Sequence, residues 1–208
     1  MTDDKAEFQS RINVSRETIE KLEIYEQLLK KWNQAINLIS KSTANDIWQR
    51  HFLDSAAVFE YRNTKGNKWL DIGSGAGLPG LVAAIIATEL SPELRVTCIE
   101  SDLRKCEFLR TVARNTETPL KILTRRVEDA PAQQADTMSA RALAPLNTLL
   151  LFANQHLAEN GTAVFHKGQD WKTEVENARK EWQFDLERFP SATNPTAVIL
   201  RITNISHV

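Results

Sequence analysis

The sequence contains little cysteine and no long apolar run, and each absence excludes a class of protein. Its two cysteines, Cys98 and Cys106, lack the CxxC or zinc-type spacing, so they are predicted to be reduced, packed thiols in a cytoplasmic protein. No apolar run approaches the roughly 20 residues that a membrane span requires. The polar start MTDDKAEFQS predicts no signal peptide. The composition therefore argues against membrane proteins and disulfide-rich secreted proteins.

The chain also lacks an excess of charge of either sign. Lys and Arg number 26 and Asp and Glu number 27, which gives a formal net charge of −1. Overall charge therefore predicts no partner, and a nucleic-acid site would have to be a local basic face. With 208 residues, of which 42% are hydrophobic, the chain can form one α/β domain with an appendage or two small domains.

The hydrophobic pattern changes near residue 65, which predicts a helical N-terminal extension over 1–64 and a larger domain over 65–208. Ser15 is a candidate N-cap for the first helix, and a second helix is predicted to begin at Thr43, with Asp46 completing a capping-box variant. Residues 61–67 have the composition of a connector. Apolar residues recur at three- and four-residue steps along the first helix, at Ile19, Leu22, Tyr25, Leu28, Leu29, Trp32 and Ile36.

Beyond residue 65 the pattern alternates between strand and helix. Such alternation predicts an α/β fold with right-handed βαβ units, a mostly parallel sheet and helices on both faces. The last strand has no helix before it and is expected to pair antiparallel. Strands are predicted at 68–72, 94–99, 120–124, 137–140, 162–166 and 197–202, and helices at 79–90, 102–116, 145–158 and 171–182.

A glycine-rich loop, LDIGSGAGLPG, follows the first predicted strand at residues 70–80. Gly73, Gly75 and Gly77 allow a sharp turn and a close approach of backbone to a ligand. The loop also matches the G-x-G-x-x-G dinucleotide pattern, which is weak alone. Pro79 removes an amide that would cradle a pyrophosphate, and Asp71 suits an ammonium group better than a phosphate. The loop therefore favours S-adenosylmethionine over a dinucleotide.

Glu100 ends the second predicted strand, where an acidic side chain can accept hydrogen bonds from ribose hydroxyls. This feature suits NAD and S-adenosylmethionine equally, so it indicates a nucleoside and does not choose between them. A simpler interpretation is that Asp71 and Glu100 cap or solvate loops.

Basic residues are locally enriched between Arg95 and Arg126, a stretch that contains eight basic and four acidic residues. Arg125, Arg126, Arg141 and Lys167 follow predicted strands, so we predict that they contact RNA phosphates. A solvated helix face is the alternative for most Lys and Arg residues.

His51 is a further RNA-binding candidate, although such a histidine more often ties a helical extension to its domain. Asp54 is three residues further on, so it would share a helix face with His51 and could orient it.

Several motifs together resemble the glucose-inhibited division protein B family of bacterial 16S ribosomal RNA guanine-N(7) methyltransferases. The match is strongest in the RHFLDS block at 50–55 and in the LPG ending of the glycine loop. Ser139-Ala140 and His166 depart mildly from the usual pattern. The remaining landmarks are Lys31-Trp32-Asn33, Asn37-Leu38, Lys105, Phe108-Leu109-Arg110, Arg126-Val127-Glu128, Ser139-Ala140-Arg141-Ala142 and Lys167-Gly168.

This resemblance implies a class I, Rossmann-like methyltransferase fold and methylation of guanine N(7) in 16S ribosomal RNA or a small-subunit particle. It also implies S-adenosylmethionine contacts at Gly73, Leu78, Val127, Glu128 and Arg141. We predict no catalytic acid or base, because guanine N(7) carries a lone pair and no proton, and we predict no metal site. A nucleotide-dependent oxidoreductase and a noncatalytic RNA-binding protein are the alternatives.

Overall fold

The computed structural model describes residues 3–191 and 193–208, which form an α/β fold. Short 3₁₀ and π-helical turns at Lys41–Thr43 and Trp48–Leu53 precede the third helix. The helices are α1 Asp3–Ile12, α2 Arg16–Trp32, α3 Asp54–Glu60, α4 Gly80–Leu90, α5 Leu103–Asn115, α6 Leu146–His156 and α7 Trp171–Ala178. The strands are β1 Lys68–Ile72, β2 Arg95–Glu100, β3 Lys121–Thr124, β4 Ala135–Arg141, β5 Leu157–Lys167, β6 Trp182–Pro190 and β7 Val198–His207.

The seven strands form one sheet in the order β3-β2-β1-β4-β5-β7-β6. Strands β1 to β5 pair in parallel, whereas β7 runs antiparallel to both β5 and β6. The predicted α/β class and the antiparallel last strand are therefore confirmed. Because β1 and β4 are neighbours although two strands separate them in sequence, the order reverses there. Ligands of parallel sheets bind at the carboxyl edge near such a point.

Two hydrophobic clusters pack against the sheet, because successive side chains of a strand point to opposite faces. Trp69 belongs to one cluster and Leu70 to the other. Helices α1 to α5 contribute to the first cluster and α6 and α7 to the second. The N-terminal helices therefore share a core with α4 and α5. The division of the chain into 1–64 and 65–208 stays a prediction.

Two predicted elements need correction. The helix predicted over 171–182 ends at Ala178, and the following residues form β6, in which Trp182 and Phe184 are buried alternately with exposed neighbours. Pairing with β7 stabilises this strand, and a helical pattern does not reveal that pairing. The helix predicted from Thr43 begins instead with the π-helical turn at Trp48, because residues up to Thr43 form a 3₁₀ turn.

The Ser15 N-cap is confirmed, since its side chain accepts a hydrogen bond from the Thr18 backbone N–H. In the described ranges, none of the helices is both long enough and apolar enough to cross a membrane.

Candidate cofactor and target site

The glycine loop between β1 and α4 depends on backbone angles that only glycine adopts readily. Gly73, Gly75 and Gly77 have φ values of +61°, +53° and +88°, in the region that a Cβ disfavours. An added Cβ on Gly73 would also overlap the side chain of Leu143. The loop therefore brings bare backbone to the carboxyl edge of the sheet.

Tyr25 on α2 packs against this loop and holds it by a hydrogen bond. Its buried hydroxyl donates a hydrogen bond to the backbone carbonyl of Ala76. Burial raises the pKa of Tyr25 well above its usual value, so the phenol is a neutral donor at physiological pH. The spacing of apolar residues along α2 predicts that Tyr25 is buried, but it gives no information about the partner of its hydroxyl.

Replacing Tyr25 with phenylalanine is expected to lower the free energy of unfolding by about 1–3 kcal/mol, because the Ala76 carbonyl loses its buried partner. The affinity for S-adenosylmethionine should fall as well, since the loop loses a support. Chemical denaturation and calorimetric titration measure the two effects. Tyr61→Phe is a matched control, because Tyr61 stacks on Phe189 with a centroid distance of 3.9 Å and its hydroxyl makes no hydrogen bond among the described residues. Equal losses in both variants would contradict the prediction.

Asp71 lies beneath the loop and does not line the neighbouring cavity. Its side chain is 1% exposed, and Ser139 Oγ donates to its Oδ1 at 2.6 Å. Burial raises the pKa of Asp71 to about 6, although the hydrogen bond from Ser139 partly offsets this effect. The burial of Asp71 and its hydrogen bond with Ser139 therefore indicate that it stabilises the protein interior next to the loop. Its contact with a cofactor ammonium stays a prediction.

Glu100, at the carboxyl end of β2, holds the loop in place through its carboxylate. Oε2 accepts a hydrogen bond from the Gly75 backbone N–H at 2.8 Å, and Oε1 accepts one from the Asp102 N–H at 2.8 Å. Glu100 also lines a cavity at this edge of the sheet, and each carboxylate oxygen can accept a further hydrogen bond.

A cavity of about 370 Å³, here called the first cavity, opens at this edge of the sheet. Four predicted cofactor residues line it: Gly73, Glu100, Val127 and Glu128. Gly75, Gly77, Leu78 and Arg141 lie outside its lining, and their cofactor contacts stay predictions. Arg125 and Arg126, predicted for RNA, also border it, together with Ile99, Ser101, Lys105, Ala142, Leu143, Ala144, Thr148 and Phe152.

A second cavity of about 230 Å³ adjoins the first. Both are bordered by Ala142 and Ala144 in the loop between β4 and α6, and Ala142 has a φ of +52°. The polar side chains of the second cavity are those of Arg50, Asp54, Arg141, His166, Lys167 and Asn194. A larger cavity of about 690 Å³ lies at the opposite edge, near Lys65 and Asp136, where parallel sheets do not bind ligands.

Arg141 and His51 form a buried pair beside the second cavity. Arg141 Nη2 donates to His51 Nδ1 at 2.7 Å, and His51 Nε2 lies 2.9 Å from Thr43 Oγ1. Burial, followed by the charge of Arg141, lowers the pKa of His51 to about 3, so the imidazole is neutral at physiological pH. This geometry argues against the predicted RNA contact of His51, because both ring nitrogens are engaged and the residue is 4% exposed.

Lys167 is likewise engaged within the protein. Its Nζ lies 2.6 Å from Glu174 Oε2 and donates to the Ala144 carbonyl at 3.1 Å. The predicted contact of Lys167 with an RNA phosphate would require breaking this buried ion pair. The geometry favours a structural role in fixing the loop between the two cavities.

Asp54 does not orient His51, contrary to the prediction from helical spacing. Its two carboxylate oxygens accept hydrogen bonds from Ser191 Oγ and Thr193 Oγ1, each at 2.9 Å. The π-helical turn at Trp48–Leu53 changes the spacing of side chains before α3, and π turns are frequent at functional sites. Asp54 therefore lines the second cavity as a separate group.

The sheet order and the adjoining cavities at its carboxyl edge are those of a class I, Rossmann-like methyltransferase fold. Two solved structures share the fold. A ribosomal protein L11 methylase from Lactobacillus delbrueckii subsp. bulgaricus has a TM-score of 0.57, 18% identity and coverage of 72% of this chain and 76% of that chain. TYW2 from M. jannaschii, solved in complex with AdoMet, has a TM-score of 0.57, 10% identity and coverage of 84% and 80%.

Sequence comparison gives the family. The family model described as rRNA small subunit methyltransferase G matches residues 18–198. A ribosomal RNA small subunit methyltransferase G from Ruegeria sp. (strain TM1040) is 52% identical over 95% of this chain and 96% of the relative. One from Cereibacter sphaeroides (strain ATCC 17025 / ATH 2.4.3) is 49% identical over 100% of both. The chain belongs to the rRNA small subunit methyltransferase G family.

Proposed function

We propose that this chain transfers the methyl group of S-adenosylmethionine to N(7) of a guanine in 16S ribosomal RNA. The observation that carries the proposal is the pair of adjoining cavities, which meet at Ala142 and Ala144. A methyl donor in the first cavity and a base in the second would then face each other across this loop.

The residues of the first cavity fit S-adenosylmethionine. Glu100 would accept hydrogen bonds from the ribose hydroxyls, and Ile99, Val127 and Phe152 supply apolar surface for the adenine. The Gly73 backbone has no side chain that would fill the space beside Leu143. Bound S-adenosylmethionine supplies an electrophilic methyl group on a sulfonium.

The chemistry makes few demands on acid–base groups. The N(7) lone pair forms the new bond to carbon while the sulfur–carbon bond breaks and its electron pair stays on sulfur. Positive charge thus moves from sulfur to the guanine ring, and no proton has to leave. The protein contributes by holding the reacting atoms in line and by providing polar groups that tolerate the charge on the base. Asp54, whose carboxylate can offset a positive charge on the base, lines the second cavity.

Basic side chains beside the first cavity suit an RNA backbone. Lys105, Arg125 and Arg126 border it, and Arg125 and Arg126 are exposed. They would bind phosphates, so affinity would fall as salt concentration rises. The substrate would be 16S ribosomal RNA or a small-subunit particle in the cytoplasm.

The proposal is tested with undermethylated small subunits and labelled S-adenosylmethionine. We expect 7-methylguanosine to appear in 16S RNA, measured by mass spectrometry of nucleosides, and thermal stabilisation by S-adenosylmethionine but not by NAD. Stabilisation by NAD alone would favour the oxidoreductase. Binding to RNA without methyl transfer would favour a noncatalytic RNA-binding protein, and either result would overturn the proposal.

A further inference from the structure

The second cavity contains polar atoms that no contact within the described residues explains. Arg141 Nη1 and His166 Nε2 are buried without a hydrogen-bond partner, and the His166 side chain is only 10% exposed. Buried polar groups normally find partners. Their position in one cavity therefore indicates a ligand with several hydrogen-bonding groups.

Asp54 is the one carboxylate among the residues that line this cavity in the described part of the chain. Ser191 and Thr193 each donate to one of its oxygens. Since a carboxylate oxygen can accept more than one hydrogen bond, both oxygens retain capacity. His166 Nε2 is 3.8 Å from Asp54 Oδ1, too far for a hydrogen bond. Burial lowers the pKa of His166 to about 4. The nearby Asp54 opposes this shift, and the charge of Arg141 adds to it. The ring is therefore neutral at pH 7.

The two hydroxyl donors also hold the carboxylate in one orientation before any ligand arrives. Asp54 begins α3, and Ser191 and Thr193 lie in the connection between β6 and β7. A fixed acceptor of this kind loses little conformational entropy on binding. The cavity thus combines a preorganised acceptor, Asp54, with an unpaired donor, Arg141 Nη1.

Guanine matches this pattern of groups when its N(7) faces the first cavity. O6, which lies beside N(7), is an acceptor. The N1–H and the N2 amino group, on the Watson–Crick edge, are donors. Arg141 and Asp54 both line the second cavity and not the first, and Arg141 directly precedes Ala142, which borders both. Arg141, next to the junction of the two cavities, is thus placed to donate to O6, and Asp54 to accept from N1–H and the N2 amino group.

We propose that Asp54 is the residue that selects guanine, by accepting hydrogen bonds from its N1–H and N2 amino group while Arg141 Nη1 donates to O6. This inference rests on the proposed function. Adenine has an acceptor at N1 and no N2 amino group, so it would leave Asp54 without its bonds. Methylation makes the base cationic, and the bonds to the carboxylate then become stronger. Asp54 therefore favours the transition state as well as the correct base.

The test compares 16S RNA carrying guanosine with the same RNA carrying inosine, which lacks only the N2 amino group, at the target position. With the wild-type protein, inosine is expected to lower kcat/KM about 10- to 100-fold, because a hydrogen bond to a charged group is lost. Asp54→Asn should lower kcat/KM for guanosine by a similar factor. It should also reduce the preference for guanosine over inosine to below about 3-fold, since only one of the two polar side-chain atoms of asparagine is an acceptor.

Ser191→Ala is the matched control, because it removes one hydrogen bond to Asp54 but keeps the carboxylate. This variant should lose less activity than Asp54→Asn and should still prefer guanosine over inosine, since the second donor, Thr193, still orients the carboxylate. The Kd of S-adenosylmethionine, measured by calorimetry, should be unchanged in Asp54→Asn, since Asp54 does not line the first cavity.

Two results would overturn the inference about Asp54. One is equal methylation of guanosine and inosine RNA by the wild-type protein. The other is an equal loss for both RNAs in Asp54→Asn, which would indicate a purely structural role. The absence of 7-methylguanosine from guanosine RNA treated with the wild-type protein would instead refute the proposed function.

Discussion

Gly77→Ala is expected to lower the free energy of unfolding by about 2–5 kcal/mol, because it combines backbone strain with overpacking. Gly77 has a φ of +88°. A Cβ there would lie 2.7 Å from Leu81 Cβ and 2.9 Å from both Leu109 Cδ2 and the Tyr25 hydroxyl. The loop cannot relax easily, since the added carbon meets a second Cβ atom and two buried side chains. Chemical denaturation measures the loss, and calorimetry should show weaker binding of S-adenosylmethionine.

Gly75→Ala is a control in the same loop. Gly75 also has a positive φ, of +53°, but the nearest atom to an added Cβ is the Gly73 carbonyl oxygen at 3.8 Å. Strain alone should cost about 1–2 kcal/mol. A Gly77 variant that is no less stable than the Gly75 variant would show that packing under the loop is not restrictive.

Arg141→Ala is expected to reduce kcat/KM for methyl transfer by about 100-fold or more, because Arg141 lines the second cavity and a small misplacement of the reacting groups can cost about that factor. It also removes the partner of His51 Nδ1, which Arg141 contacts at 2.7 Å. Burial, and after it the charge of Arg141, lowers the pKa of His51 to about 3. The pKa of His51 should therefore rise in the variant, as measured by NMR of the labelled imidazole.

Arg141→Lys separates charge from geometry. Lysine keeps the positive charge but lacks the planar guanidinium, in which one nitrogen contacts His51 while the other stays free for a ligand. It should therefore restore only a small part of the activity. Arg16→Ala serves as the control, because the Arg16 side chain is 86% exposed on α2 and its one ion pair among the described residues is with Glu20. Unchanged methyl transfer and cofactor affinity in Arg141→Ala would contradict the role of this residue.

The order of strands and helices after residue 65 followed from local patterns. The predicted strand over 68–72 matches β1, and the other predicted strands overlap β2 to β5 and β7. The glycine loop and the position of Glu100 could also be predicted from the sequence, because φ preferences and strand ends depend on neighbouring residues. Strand β6 was missed because its pairing with β7 lies outside a local window. The π-helical turn before α3 has no periodicity signal of its own.

The amino-acid sequence by itself determined the α/β class, the glycine turn and the acidic end of β2, because each depends on a short stretch of chain. Only the tertiary structure decided that His51 is enclosed by Arg141 and Thr43, and that Asp54 faces the second cavity. These contacts join positions that are far apart; Asp54 and Ser191, for example, are separated by 137 residues. Chain folding sets such distances, and local periodicity carries no information about them.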